Sequence, residues 1–222
     1  MNIEISHIRK AYRRHSVLRD ISFTAQSGQC IGILGANGSG KSTLLSILAG
    51  IQSPDGGSFT VDGRDMFADK AARAALVGYV PQGTPLMEEL SARDNLRLWY
   101  DKDALKTELE RGILAMLGIP EFLDKPVKKL SGGMKKRLSI GCAMAGRPPV
   151  VLLDEPTAAL DLACKQAISR YLQTYKRSGG ILLLTTHEES ELALCDAWYI
   201  IKDGDLLPFV YDGDVSKLVS SL

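Results

Sequence analysis

The chain has 222 residues, 45% of them hydrophobic and 24% charged, with a net charge of +1. That is enough apolar chain for one large α/β domain or a domain with an inserted lobe, and too even a charge balance to suggest a polyanion-binding surface. No apolar run approaches the roughly 20 residues of a membrane span, the charged start MNIEISHIRKAY lacks a signal peptide's apolar run, and the scattered Cys30, Cys142, Cys164 and Cys195 form no C-x-x-C pair, which excludes zinc-ribbon and thioredoxin-like readings. Reduced, buried thiols of a cytosolic protein are the expectation.

In chain order, Ile3, Ile5 and Ile8 lie near alternation and predict a strand that ends in the basic, aromatic run 9–15. Val17, Leu18, Ile21 and Phe23 continue strand-like, and Ser27-Gly28 turns the chain into an apolar run at 31–34 that reads as a buried strand. Residues 35–43 follow as Gly35, Ala36, Asn37, Gly38, Ser39, Gly40, Lys41, Ser42 and Thr43. They fit G-x-x-x-x-G-K-[ST], and Leu44, Leu45, Ile47 and Leu48 after them have helical spacing closed by Gly50. A strand-to-helix loop of this kind is a phosphate cradle. Its glycines let backbone N–H groups point inward, and the helix N-terminus adds unpaired donors and partial positive charge. Lys41 can reach β- and γ-phosphates, and Ser42 can offer its hydroxyl to Mg²⁺. The competing reading is a Gly-rich turn that matches by chance; the flanking strand and helix count against it.

Pro54-Asp55-Gly56-Gly57 is a turn, 58–61 alternates as a strand, and Asp62-Gly63 turns again, so the first part has antiparallel character. A short apolar strand at 76–80 is halted by Pro81-Gln82-Gly83. From 87 to 145 the pattern is helical, with Leu105, Leu109, Ile113, Leu114 and Leu117 predicting one helix closed by Gly118 and Pro120. Within this stretch Ser131 is a good N-cap for a helix over 134–145. Gly132 and Gly133 in its first turn cost helix stability and suggest the close approach of an anion, with ordinary capping as the other reading. Lys135, Lys136 and Arg137 read as a solvated basic helix face. Apolar strands at 150–153 and 181–184 alternate with a helix over 162–175, a short helix over 188–194, a strand over 198–201 with a turn at Asp203-Gly204, and a tail helix from Ser216. The fold class is therefore α/β: a mostly parallel sheet core, an antiparallel β lobe and an inserted helical lobe.

Polar residues follow directly on the strand ends: the loop at 35–43, Gln82, Asp154-Glu155, and Thr185-Thr186-His187. In an open parallel sheet these ends share one ligand crevice. Asp154 after an apolar strand is a carboxylate for Mg²⁺, or else a turn or capping Asp. Glu155 can polarise an attacking water as general base, or else is a solvated surface Glu. His187 can bond the γ-phosphate or that water, though a lone His is more often structural. Gln82 alone also reads as a plain loop residue.

Assembled in this order, the motifs resemble the nucleotide-binding subunit of an ATP-binding cassette (ABC) transporter over essentially the whole chain. GANGSGKST is similar to the family's Walker A motif, Gln82 to its Q-loop, LSGGM at 130–134 to its signature, VVLLDE at 150–155 to Walker B, AALD at 158–161 to the D-loop, and His187 to the switch histidine. The resemblance implies a P-loop NTPase fold in one domain, 1–222, with 1–86 and 146–222 as core and β lobe and 87–145 as the helical lobe carrying the signature. It implies ATP and Mg²⁺ as ligands, with Ser42, Gln82 and Asp154 at the metal, and Lys41, Glu155 and His187 catalytic. Tyr12 would stack on adenine, against the reading of a strand aromatic packed in the small lobe. Ser131, Gly132, Gly133 and Asp161 would meet the nucleotide of a second subunit paired head to tail, identical or not. Met134 departs from the usual Gln, and the resemblance leaves assistance to that nucleotide in trans as the alternative to a solvated face for Lys135, Lys136 and Arg137. A membrane permease is the expected partner, on the cytoplasmic face and peripheral, with no nucleic acid; the wording LSGGMKKRL leans toward exporters. A soluble ABC ATPase of DNA or ribosomes, a nucleotide switch of low turnover, and, more distantly, a phosphate-loop kinase stay open.

Overall fold

The computed structural model describes residues 1–13, 15–158, 160–186, 188–214 and 220. His187 and the start of the tail helix expected from Ser216 lie outside them.

The chain opens with β1 (Asn2–Tyr12) and β2 (His15–Gln26), an antiparallel pair closed by Tyr12 opposite His15. Ile3, Ile5 and Ile8 are all buried although the last step is three residues. The register shifts between Ile5 and Ile8, and His7 has φ +55°, so a β-bulge adds the residue that returns Ile8 to the core face. Next come β3 (Cys30–Leu34), α1 (Lys41–Leu48), β4 (Gly56–Val61) and the short β5 (Arg64–Asp65). The alanine-rich α2 (Lys70–Leu76) is capped by Asp69, whose Oδ1 accepts the Ala72 N–H at 2.8 Å. It takes Leu76 from the expected strand, and β6 (Val77–Val80) begins one residue later.

The stretch after β6 holds α3 (Ala92–Arg97), α4 (Lys102–Arg111), α5 (Ile113–Met116) and α6 (Gly132–Ala143). The single helix expected through Leu117 breaks at Gly112, which is extended. Glu108, buried, turns back to accept the Ile113 N–H at 2.9 Å, and a Cβ on Gly112 would collide with that carboxylate. The same carboxylate pairs with Arg147 at 2.7 Å. The helix that follows the signature starts at Gly132, two residues before the expected 134.

The chain closes with β7 (Val150–Asp154), α7 (Leu162–Arg177), β8 (Ile181–Thr185), α8 (Glu189–Leu192), β9 (Ala197–Lys202) and β10 (Asp205–Phe209). The last is not evident in the sequence, where Pro208 argues against a strand. It runs antiparallel to β9 and touches β2 at Asp205–Asp20, which joins lobe and core into one ten-stranded sheet of order β5-β4-β1-β2-β10-β9-β3-β8-β7-β6. From β9 to β6 the strands are parallel.

Every residue of β3, β7 and β8 is buried, because both sheet faces are covered. Alternate residues feed different cores. Val151, Leu153, Leu182 and Leu184 pack with the helices between β6 and β7, while Val150, Leu152, Ile181 and Leu183 pack with α1 and the β lobe. The carboxyl ends of the parallel strands thereby share one edge.

Candidate nucleotide site

The loop between β3 and α1 is shaped by left-handed glycines: Gly38 has φ +82° and Gly40, the N-cap of α1, φ +108°. A Cβ on Gly35 would lie 2.8 Å from the Ile201 carbonyl, and one on Gly40 would lie 2.9 Å from the Val17 and Leu18 side chains. Lys41, only 6% exposed, folds back so that Nζ donates to the Gly35 and Ala36 carbonyls at 2.7 and 3.1 Å. Burial lowers its pKa, and the nearby Glu155 and Asp154 pull the other way. Ser39 Oγ is buried with no partner. A cleft of about 400 Å³ lies beside the loop, lined by Ala36, Asn37, Gly38 and Ser39, by His15–Val17 residues of β2, and by the β9–β10 turn. A caged cation, an orphaned hydroxyl and a glycine cradle that a Cβ would fill suit a phosphate chain. Ser42 at the exposed rim of α1 and Thr43, half-buried, complete the motif.

Asp154 ends β7, buried, and Thr185 at the end of β8 donates its hydroxyl to Asp154 Oδ1 at 2.6 Å. Glu155 follows in the left-handed region at φ +47°, a conformation that costs a non-glycine residue energy and gathers at functional sites. Its N–H donates to Thr185 O and Oγ1, both at 3.1 Å. Gln82, just past β6, donates Nε2–H to Glu155 Oε2 at 2.9 Å. The geometry thus joins Gln82 to Glu155 directly and Glu155 to Asp154 through Thr185, with Lys41 in the field of both carboxylates. Among the described residues no cluster of three His, Cys, Asp or Glu side chains forms a metal cage. That donor set fits Mg²⁺, which keeps water and phosphate ligands beside one carboxylate and a hydroxyl.

Thr185 carries more than its strand position signalled, since one hydroxyl serves both carboxylate residues. Thr185→Val should leave Asp154 short of a buried donor and cost about 1–3 kcal/mol of stability. Urea denaturation reads this directly, and an unchanged midpoint would show that Asp154 is satisfied by other groups.

Beyond Thr185, the Thr186 hydroxyl donates to the buried Glu191 carboxylate and accepts the Glu188 N–H at 2.9 Å. Burial raises the Glu191 pKa above the usual carboxylate range.

The other expected residues lie elsewhere. Tyr12 is 44% exposed; its hydroxyl donates to Gln52, Lys10 Nζ lies 5.6 Å from its ring, and it does not line the loop cleft, although its hairpin partner His15 does. Ser131 caps α6, accepting the Met134 N–H at 3.2 Å, and Ser131 and Gly132 are exposed. A Cβ on Gly132 would meet nothing, whereas one on Gly133 would lie 2.7 Å from Cys164 Sγ at the start of α7. The close approach inferred for both glycines is therefore, at Gly133, the chain's own helix. Met134 packs against the core beneath. None of Ser131, Gly132 and Gly133 lines the loop cleft. Asp161 caps α7 through the Cys164 N–H at 2.9 Å, a bond that holds its pKa below the usual range.

The basic run after Met134 is not a uniformly solvated face. Lys135 pairs with Glu88 at 2.7 Å, and Arg137 donates to the Leu117 carbonyl at 2.9 Å. Lys136 is 5% exposed and donates to the Pro81 and Gln82 carbonyls. Burial pulls its pKa down to about 8 against the field of Asp154, Glu191 and Glu155. Helical periodicity puts Lys136 one turn from Ser139 and Ile140, both buried, and that was the missed signal.

A glycine cradle on a helix N-terminus, set beside acidic strand ends, is the nucleotide site of the phosphate-loop triphosphatases, and the fold and site place this chain in that class. The family model described as ABC transporter matches residues 18–158, more than half of the chain, and the chain belongs to that family. It is 38% identical over 208 residues to the Nod factor export ATP-binding protein I of Sinorhizobium fredii, covering 91% of this chain and 60% of that protein. To the linearmycin resistance ATP-binding protein LnrL of Bacillus subtilis it is 32% identical over 212 residues, covering 92% of this chain and 68% of that protein. Among solved structures it matches a dimeric ATP-binding cassette in a post-hydrolysis state bound to ADP and Pi, with TM-score 0.82 and 25% identity over 92% of this chain and 96% of that one. The chain therefore carries an ABC-family ATP-binding domain, and it spans 60% of the length of the first of these relatives and 68% of the second.

Proposed function

We propose that this chain hydrolyses ATP as one half of a head-to-tail pair and drives export through a separate membrane permease, at the cytoplasmic face. The bond between Gln82 and Glu155, made beside Asp154 and within the field of Lys41, carries the hydrolytic part of this reading. The backbone N–H groups of residues 36–43 and the Lys41 cation hold the phosphates. Ser42 and Asp154, with Gln82 beside them, would hold Mg²⁺, which would supply positive charge against the phosphate oxygens. Glu155 orients the attacking water and takes its proton, Gln82 positions Glu155, and His187 contacts the γ-phosphate. Tyr12 flanks the base from the β1–β2 hairpin.

Ser131, Gly132 and Gly133 complete the site of the opposite subunit, with Asp161 near the seam. That none of the three lines the chain's own loop cleft supports that arrangement. The core and β lobe are 1–86 and 146–222, and the lobe at 87–145 carries the signature.

The permease docks in an apolar groove of about 460 Å³ between this lobe and the core, lined among others by Ile51, Tyr79, Met87, Leu98 and Trp99. Trp99 is 65% and Ile51 67% exposed, a poor fit to a surface that faces only water. No helix among the described residues is long and apolar enough to cross a membrane, so the permease is a separate chain or segment. The export relatives support the direction of transport. In co-expression with its permease, Trp99→Ala should lower the membrane-bound fraction of the chain about tenfold, while the ATPase rate of the purified protein stays unchanged. Unaltered membrane association would reject the groove.

A further inference from the structure

We propose that Lys136 is a positioning residue that ties the signature helix to the Gln82 segment, so that movement of one sets the other against Glu155. The inference rests on the roles given to Gln82 and Glu155 above. Lys136 lies one turn into α6, and its Nζ spans to the exit of β6, donating to Pro81 O at 2.7 Å and Gln82 O at 3.2 Å. Gln82 in turn donates to Glu155 Oε2 at 2.9 Å. A continuous polar path therefore runs from the helix capped by Ser131 to the carboxylate at the end of β7.

The flanking basic residues make no such contact, since Lys135 goes to Glu88 and Arg137 to the Leu117 carbonyl. Arg137 also lies 5.2 Å from the Phe122 ring, inside its own lobe. Lys136 alone of the three crosses from its lobe to the core strand end. A buried lysine is costly to desolvate unless its donors are used, and here they go to the backbone that carries Gln82. An apolar side chain would fill the same space but leave the two carbonyls without this donor and the strand end unlinked to α6. When the exposed Ser131 and Gly132 end of α6 is drawn to a partner's nucleotide, the Lys136 bonds transmit that displacement to Gln82.

The test is steady-state ATPase kinetics and thermal melting on the purified protein for Gln82→Ala, Lys136→Met, Lys136→Arg and the double variant Lys136→Met/Gln82→Ala. Lys136→Met should lower kcat about tenfold with KM for ATP changed by less than about twofold, since a small misplacement at the reacting centre is felt in turnover rather than in ground-state binding. Lys136→Arg, which keeps the charge and the donors, should restore most of the rate. The double variant should be no slower than the slower single variant, because both act through one contact. Wild-type kcat in Lys136→Met, or additive losses in the double variant, would overturn the proposal while leaving Gln82 in its role. Wild-type kcat in Gln82→Ala would overturn the role of Gln82 and the proposal with it. If Lys136→Met does not fold, Lys136→Gln, shorter and uncharged, carries the same expected loss.

Discussion

Glu155→Gln is expected to bind ATP with near-wild-type affinity, to turn it over about 10²–10⁴-fold more slowly, and to hold two chains together while ATP is present. The geometry explains why the change is confined to chemistry. The Glu155 backbone is pinned in its left-handed conformation by two bonds to Thr185, and neither involves the carboxylate. A glutamine has the same length, and its amide oxygen can still accept the Gln82 N–H that Glu155 Oε2 accepts at 2.9 Å. What disappears is the negative charge and the capacity to take a proton from water. Phosphate release measures turnover, and size-exclusion chromatography with Mg²⁺ and ATP measures pairing. A wild-type rate in this variant would remove Glu155 from the chemical step and shift attention to His187.

Lys41→Ala should weaken ATP binding by about 100-fold or more, in the range of about 2–5 kcal/mol for removing one member of a buried charge pair. Lys41 braces its own loop through the Gly35 and Ala36 carbonyls. Those bonds hold a desolvated cation in place, so little reorganisation is needed when phosphate oxygens arrive. Alanine removes the charge and the brace together, and nearby Asp154 and Glu155 then repel the triphosphate with less to offset them. Fluorescent-nucleotide titration reads the affinity. Binding at wild-type strength would contradict the assignment of the loop.

Much of the site was legible because it is local. Residues 35–43 carry a loop geometry in their own glycines, and the apolar runs before Gly35, Asp154 and Thr185 mark strands buried on both faces. From those runs the convergence of strand ends follows without coordinates. Other features depended on contacts between residues far apart in sequence. The break at Gly112 combines a local bond, Glu108 capping Ile113, with a distant partner, Arg147, which holds the Glu108 carboxylate there and which no local pattern announces. β10 carries a proline and exists because β9 and β2 offer it edges. Gly133 looked like a place for an anion, yet its missing side chain also makes room for Cys164.

By itself the sequence determined the chemistry: a phosphate loop, its lysine, an acidic strand end, and a capped glycine helix start, each a short-range pattern that backbone sterics and strand burial enforce. Only the tertiary structure decided which of these meet. Gln82 reaches Glu155, Thr185 holds Asp154, Lys136 is buried rather than solvated, and the signature glycines do not line the chain's own loop cleft. The physical reason is that hydrogen-bond reach spans only about 3 Å, so such pairings are set by sheet order and helix placement, which no short window of residues encodes.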